Sequence, residues 1–356
     1  MKNKVTIIIT IRNRDVSRIE NQVNSIRKYG ANPTIHIIDY GSDEVFKNQY
    51  EVISNKLGIQ YTHMFAEGLP WNKCRAINYG VKNATTPFIV TSDVDMIYTS
   101  NPFQWCIDNY EEKTIYHIPT FWLPKNGKIS KSLAAGIGNS GGFLFSKRED
   151  ILNVNGYDER IVYWGVEDLD FPRRLVSQGY KQVWLPDEHK LYHQWHKTES
   201  NSHNRPSTAS INSFKYSLDN YISPILSSEI GLPLTQNERP ILSKIKNHSP
   251  FELHFNINEF TKWGADKKLI DAISQHNFVK VTISERLKTR PLDFFRTQMK
   301  SILKPFVALT GNKVISNINE NFDYLYESIQ TLVTYKLIVD FYISKDTSTI
   351  YLLHKE

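Results

Sequence analysis

Two cysteines, Cys74 and Cys106, are all that the 356 residues contain. That excludes a disulfide framework and fits a reducing compartment. No apolar run approaches the roughly 18–20 residues needed to span a bilayer. The opening Met1-Lys2-Asn3-Lys4 followed by VTIIITI has the outline of a signal peptide, but its apolar run is short and no small-residue cleavage site follows. Arg12, Asn13, Arg14 and Asp15 come at once, so the run reads as a buried strand. There is no internal repeat and no low-complexity tract. Glycine is also missing from the turn after this first strand, where IRNRD stands. A sugar-1-phosphate nucleotidyltransferase usually carries a glycine-rich basic signature there, which counts against that class. These absences predict a cytoplasmic chain.

What is present is ordinary in bulk: 40% hydrophobic and 22% charged residues, enough for a core, in a length that suits two domains better than one. Aromatic residues reach 12%, which suits a sugar-handling cleft as well as plain core filling. The net charge of +6 is concentrated in residues 286–313, where Arg286, Lys288, Arg290, Arg296, Lys300, Lys304 and Lys313 face a single acid, Asp293. With Leu292, Phe294, Phe295, Ile302, Leu303 and Phe306 interleaved, the segment reads either as peripheral contact with an anionic membrane at its inner face or as a helix with a solvated basic side. No nucleic-acid partner is expected.

The first half alternates strands and helices. Strands are predicted at Val5–Ile11, Thr34–Asp39, Gln60–Phe65 and Pro87–Thr91, with helices over Asp15–Tyr29 and Trp71–Ala84. That order implies right-handed crossovers and a mostly parallel sheet with helices on both faces. Further strands are expected at Thr114–Pro119, Gly141–Ser146 and Gln182–Leu185, with a helix over Glu167–Gln178. The stretch SNSHNRPSTAS near 200–210 is loop-like. Beyond it come a strand at Phe251–Ile257, a helix at Asn258–His276, a strand at Phe278–Ile283, and a hairpin of Leu337–Ile343 with Thr349–His354. The expected domains are 1–235, catalytic, and 236–356, a smaller α/β accessory domain of unknown role.

Ligands of such sheets sit beyond the carboxyl ends of the strands, and Asp39 and Asp93 each fall there. A carboxylate in that place accepts hydrogen bonds from a base or ribose, while a nearby cation such as Arg12 neutralises phosphate; an Asx-turn is the ordinary alternative for Asp39. Arg75 and Asn78, three apart, share one helix face and touch either a nucleotide or water. Asp93-Val94-Asp95 places two acids one residue apart after an apolar strand. Such a pair is costly without a positive partner, and a hard divalent cation supplies one. Glu167 and Asp168 open a predicted helix, where its dipole favours negative charge; they are either simple caps or an acid–base pair. His193 and His196 offer two imidazoles at i, i+3, structural in most proteins and ligands beside an oxygen-rich cation site.

Residues of about 4–100 resemble the nucleotide-binding half of family 2 GT-A glycosyltransferases: an apolar strand, an acid followed by Gly-Ser, an Ala-x-Asn-x-Gly helix, then D-x-D. Residues of about 138–196, carrying GGFLFSKREDILNVNGYDERIVYWGVEDLDFPRRL, resemble β-1,4-galactosyltransferases and bacterial chondroitin-type polymerases. The resemblance covers somewhat over half the chain and does not reach 240–356. It implies an α/β GT-A fold and inverting transfer from a nucleoside-diphosphate sugar, usually UDP-linked, to a glycan or glycolipid acceptor in surface polysaccharide synthesis. Mn²⁺ or Mg²⁺ is the implied cofactor. Asp39 then matches the uracil- and ribose-binding acid, and Asp93 the ribose- or metal-facing acid. Asp95 and His196 match metal ligands, with His193 as the alternative histidine. Asp168 matches the general base, with Glu167 orienting acceptor hydroxyls. Thr10 and Arg12 join the nucleotide-binding set, and Trp164 would form a stacking wall for the sugar or acceptor. Two positions depart from the pattern: Thr10 stands where the first strand often has Pro, and Val166 where the galactosyltransferases have a second Gly. A non-catalytic glycan-binding or scaffold protein on the same fold is the remaining alternative, and retention of all the acids and the downstream His argues against it.

Overall fold

The computed structural model describes residues 4–129, 133–134, 142–163, 165–196, 222–223, 230–256, 262–284, 329, 333, 338–344 and 349–354. They fall into two compact units, Met1–Asn237 and Glu238–Glu356. Among the described residues no helix is long and apolar enough to cross a membrane. The basic stretch 286–313, Trp164, Gly141, the 200–210 segment and the loop between the last two strands lie outside the described residues.

The first unit is built on β1 (Val5–Ile11), a run in which every residue is buried. Alternate side chains serve two cores. Val5, Ile7, Ile9 and Ile11 pack with Ile19, Val23 and Ile26 of α1 (Ser17–Lys28), whereas Ile8 packs with Ala76, Ile77 and Val81 of α3 (Lys73–Asn83). A strand covered on both faces must be apolar throughout, which is why the sequence shows a run and no alternation. Each buried isoleucine contributes roughly 1.5–3 kcal/mol. Gly80 lets α3 close onto the sheet, since a Cβ there would stand 2.7 Å from the Ile8 side chain.

Around β1 the sheet continues with β2 (Thr34–Tyr40), α2 (Glu44–Leu57), β3 (Gln60–Met64) and β4 (Phe88–Asp93). Three short elements follow the turn after β4: β5 (Met96–Tyr98), α4 (Pro102–Asp108) and β6 (Thr114–His117). Then come β7 (Thr120–Trp122), β8 (Leu133–Ala134), β9 (Leu144–Lys147), α5 (Arg148–Asn153) and α6 (Glu167–Ser177). β10 (Lys181–Trp184) and β11 (Leu191–His193) close the set. The large sheet runs β10-β6-β9-β4-β1-β2-β3 and is parallel except at β9, which is antiparallel to both neighbours. A second sheet, β5-β11-β7-β8, branches from the end of β4. This is the α/β architecture with a mostly parallel sheet that the strand–helix alternation implies.

The expected strands and helices are present among the described residues with ends shifted by a few residues at most, and several short elements are additional. Helix α2 was not expected. Its buried face is narrow, with Tyr50 and Ile53 inward, while Val45 and Val52 on the same helix are 67% and 69% exposed and blur the period. Three-residue strands such as β5, β7 and β11 are too short to show a period at all.

The second unit holds α7 (Pro240–Asn247), β12 (Phe251–Asn256), α8 (Lys262–Gln275), β13 (Phe278–Ser284), β14 (Ile338–Ile343) and β15 (Thr349–His354). Its sheet runs β12-β13-β15-β14, with β14 and β15 antiparallel. Arg239 and Asp340 form a buried pair at 2.9 Å, with the Asp340 oxygens also capping the amides of Ile241 and Phe341.

One buried charge fixes the helix that begins at Glu167. Arg174 has no exposed surface; it meets Asp170 at 2.8 Å and donates to the carbonyls of Val154 and Gly156 at 2.8 and 2.7 Å. These donors tie α6 to the 154–156 turn. Arg174→Met leaves Asp170 and two carbonyls without these donors, so a loss of about 3–5 kcal/mol in unfolding free energy is expected in urea denaturation.

Candidate active site

The carboxyl ends of β1, β2 and β3 carry one polar cluster. Asp39 is wholly buried: Oδ1 accepts from Ser42 N at 2.9 Å, and Oδ2 lies 2.9 Å from both Tyr61 Oη and His63 Nδ1. His63 reaches Glu67 with its other nitrogen at 3.2 Å. Burial works against a charge on this imidazole, but the hydrogen bonds and charges of Asp39 and Glu67 outweigh it and lift the His63 pKa to about 9. The turn after Asp39 needs Gly41, whose φ is +72° and whose Cβ would stand 2.6 Å from the Ala66 carbonyl carbon. Arg12 donates to Leu69 O at 2.7 Å and feels the charges of Asp39 and Glu67. Thr10 is buried on β1, in register with Asp93 on one side and Ile38 on the other. Thr10, Arg12 and Asp39 thus share one end of the sheet. Asp39, however, is buried with no exposed surface, and the direct contact with base or ribose expected of it is not open in this conformation. His63 and Tyr61 were not foreseen, because their place depends on the register Asp39↔His63 between parallel strands.

The two acids of Asp93-Val94-Asp95 diverge. Asp93 ends β4 and meets Lys73 Nζ, from the first turn of α3, at 2.6 Å; Lys73 also reaches Glu167 Oε1 at 3.2 Å. Lys73, Glu167 and Asp168 line a small cavity with Ile77, Thr91, Leu144, Tyr157 and Pro172. Burial opposes the Lys73 charge, yet Asp93, Glu167 and Asp168 hold its pKa well above the ordinary value. Asp168 is pushed up to about 6 by burial and by the charge of Glu167, with Lys73 pulling the other way and Asp93 adding to the rise. A carboxyl group poised there is deprotonated at neutral pH and basic enough to take a proton. Lys73 is the member of this cluster that sequence reasoning missed, since nothing in WNKCRAINYG marks which side chain turns toward the acids.

Asp95 points to the other side. Its Oδ1 lies 3.3 Å from His193 Nε2, and its Oδ2 lies 3.8 Å from His196 Nε2 and 3.1 Å from Arg18 Nη1. One ligand atom from each of Asp95, His193 and His196 can be chosen so that all lie within 4.8 Å of one another. Neighbouring ligands on a divalent ion with bonds of about 2.1 Å stand about 3 Å apart, so these residues fit such an ion with small movements. Both histidines lie beside Asp95 in this group. The ring of His193 stacks on Trp122, with centroids 4.8 Å apart and planes at 22°. β11 delivers His193 in register with Met96 of β5, and Gln194 N donates to Asp95 O at 2.8 Å, so backbone pairing brings together residues almost a hundred positions apart.

Two residues expected at the nucleotide have protein partners. Asn78 is buried and its amide is consumed by Tyr157 O at 2.8 Å, Tyr157 N at 2.8 Å and Glu159 Oε1 at 3.0 Å. Arg75 faces Glu159 at 3.7 Å and Leu232 O at 3.4 Å. They do share a helix face, but it locks the 155–159 turn. The segment before Glu167 is turned by left-handed backbone at Tyr163 (φ 67°), Gly165 (φ 87°) and Val166 (φ 69°). Val166, the position that departs from the Gly of the galactosyltransferases, thus holds a conformation suited to glycine, at a cost of order 1–3 kcal/mol for a β-branched residue.

Two family models match the stretch that carries these residues. Residues 6–147 match the family model described as glycosyl transferase family 2, and residues 135–197 match the one described as N-terminal domain of galactosyltransferase. Residues 6–147 are thus similar to family 2 glycosyltransferases, and residues 135–197 to galactosyltransferases. No curated protein matches the chain. Among solved structures, GalNAc-T7 with UDP, GalNAc and Mn²⁺ is similar at 15% identity and a TM-score of 0.48, over 61% of this chain and 48% of that one; this chain spans about half its length. The catalytic domain of Drosophila β1,4-galactosyltransferase 7 in complex with xylobiose gives 16% identity and a TM-score of 0.41, over 60% and 79%. A point mutant of that enzyme with manganese, UDP-Gal and xylobiose gives 17% and 0.36, over 52% and 66%.

If Asp168 must be ionised to act, kcat/KM falls as pH drops through about 6, with the protonated form inactive. Lys73→Met removes the charge that lowers the Asp168 pKa, so the acidic limb of the profile should move to higher pH. Rate measurements from pH 5 to 8 check both directions.

Proposed function

We propose that this chain moves a hexose from a UDP-linked donor to a hydroxyl of a glycan or glycolipid acceptor, inverting the anomeric centre, in surface polysaccharide synthesis. The observation that carries this reading is the splitting of the D-x-D acids into two adjoining clusters, a metal triad around Asp95 and a base cluster around Asp168. Residues at the ends of β1, β2 and β3, namely Thr10, Arg12 and the Asp39–His63 pair, would lie toward the nucleoside, with Asp93 toward the ribose. Asp95, His193 and His196 would hold the divalent cation. A set of two imidazoles and one carboxylate suits Mn²⁺ better than Mg²⁺, which prefers oxygen alone. Bound there, the ion supplies charge neutralisation for the donor's diphosphate as the leaving group departs.

Asp168 takes the acceptor's proton from the opposite side of the sugar, and Glu167, held by Lys73, orients acceptor hydroxyls. Burial of Tyr157, Phe171 and Leu144 around this cluster limits water, which would otherwise compete as acceptor. Trp164 is proposed as the wall against which a sugar ring stacks. The unit from 238 onward is proposed as an accessory module of the same enzyme, and its basic segment as a contact for anionic lipid.

A screen of UDP-sugars for Mn²⁺-dependent hydrolysis and transfer is the direct test. Asp168→Asn is expected to retain UDP and Mn²⁺ binding while losing about 10²–10⁴-fold in transfer. Near-wild-type turnover of that variant would remove the base assignment. Asp95→Ala should abolish the difference in UDP affinity between Mn²⁺ and chelator; if that difference persists, the metal lies elsewhere.

A further inference from the structure

Helix α1 presents Arg18, Asn21, Gln22 and Ser25 along one face, at helical spacings of three and four. Each reaches an arm of the metal triad. Asn21 Nδ2 donates to Gln194 Oε1 at 2.9 Å, Gln22 Nε2 donates to Ser92 Oγ at 3.0 Å and to Asp93 O at 2.8 Å, and Tyr98 N donates to Ser25 Oγ at 3.0 Å. These three side chains are neutral and tie down the segments on either side of Asp95 and His193.

Arg18 is different. It brings a full positive charge to a place suited to a divalent cation, and it uses Asp95 Oδ2, the same oxygen that faces His196. The two side chains are only 15% and 10% exposed, so their attraction is weakly screened. Anchoring this segment alone needs no charge, since the neutral Gln22 on the same helix holds Ser92 Oγ and the Asp93 carbonyl. A guanidinium fixed here repels a cation and attracts a diphosphate, for which its planar donor fork is well shaped.

We propose that Arg18 couples cation binding to diphosphate binding. Without a diphosphate it occupies Asp95 and keeps the triad's affinity for a divalent cation low. When a diphosphate arrives, the guanidinium turns to its oxygens and releases Asp95 Oδ2, so that cation and diphosphate each tighten the other's binding by the same factor. The enzyme then holds its cation chiefly together with a donor. This inference rests on the metal-dependent reading given above.

The test is Mn²⁺ binding by the full-length chain, read from the electron paramagnetic resonance signal of free Mn²⁺, with and without UDP. In the unaltered protein, UDP should tighten Mn²⁺ binding. Arg18→Gln should bind Mn²⁺ alone roughly tenfold more tightly or better, and lose most of the further gain on adding UDP. Arg18→Lys keeps the charge and should keep weak binding of Mn²⁺ alone, which guards against an effect of misfolding in the Gln variant. Equal or weaker Mn²⁺ binding by Arg18→Gln, or an undiminished gain with UDP, overturns the coupling and leaves Arg18 as an orienting group. His196→Ala separates the two readings: if it binds Mn²⁺ with UDP as tightly as the unaltered protein, the metal site itself is wrongly placed.

Discussion

Two carboxylates one residue apart, at the end of a strand buried on both faces, repel each other and are poorly solvated. The structure resolves this by sending them in opposite directions. Asp93 goes to the α3 side, where Lys73 is waiting, and Asp95 to the α1 side, where Arg18, His193 and His196 converge. Much of the site follows from that division. Lys73 is shared with Glu167, so the β4 end and the start of α6 are joined through one ammonium group. Asp95 lies against the second sheet, so the histidines must come from β11 and its extension.

The fold was legible where burial imposed a pattern. The isoleucine run of β1, the parallel order of the first four strands and the terminal hairpin could be read because each has a strong local signature. Asp95, His193, His196, Glu167 and Asp168 were also legible as residue types in order. The partners of these residues were not. Lys73, Arg18 and His63 meet their acids through strand register and helix rotation, and a sequence carries neither quantity explicitly. The same ignorance of rotation left Arg75 and Asn78 open, since a helix pattern assigns them equally well to a ligand or to the 155–159 turn. Nothing local distinguishes an asparagine that binds a nucleotide from one that clamps a loop.

Polar anchors beneath the site have a common task. Asn78 and Glu159 hold the 155–159 turn to α3, with Glu159 also accepting from the amide of Gly231, and Arg174 holds α6 to the 154–156 turn. Together they set the position of the helix N-terminus that carries Glu167 and Asp168. The strained turn through Tyr163, Gly165 and Val166 leads directly into that helix, so rigid support lies on one side of the two acids and an unfavourable backbone on the other.

The stack of Trp122 on His193 has a consequence of another kind. The indole is 46% exposed, yet it lies in face-to-face contact with a ring that faces Asp95 across 3.3 Å. Its emission is therefore sensitive to the charge and magnetism of whatever occupies that space, and the chain carries a natural optical probe within contact of the residues proposed to hold the cation.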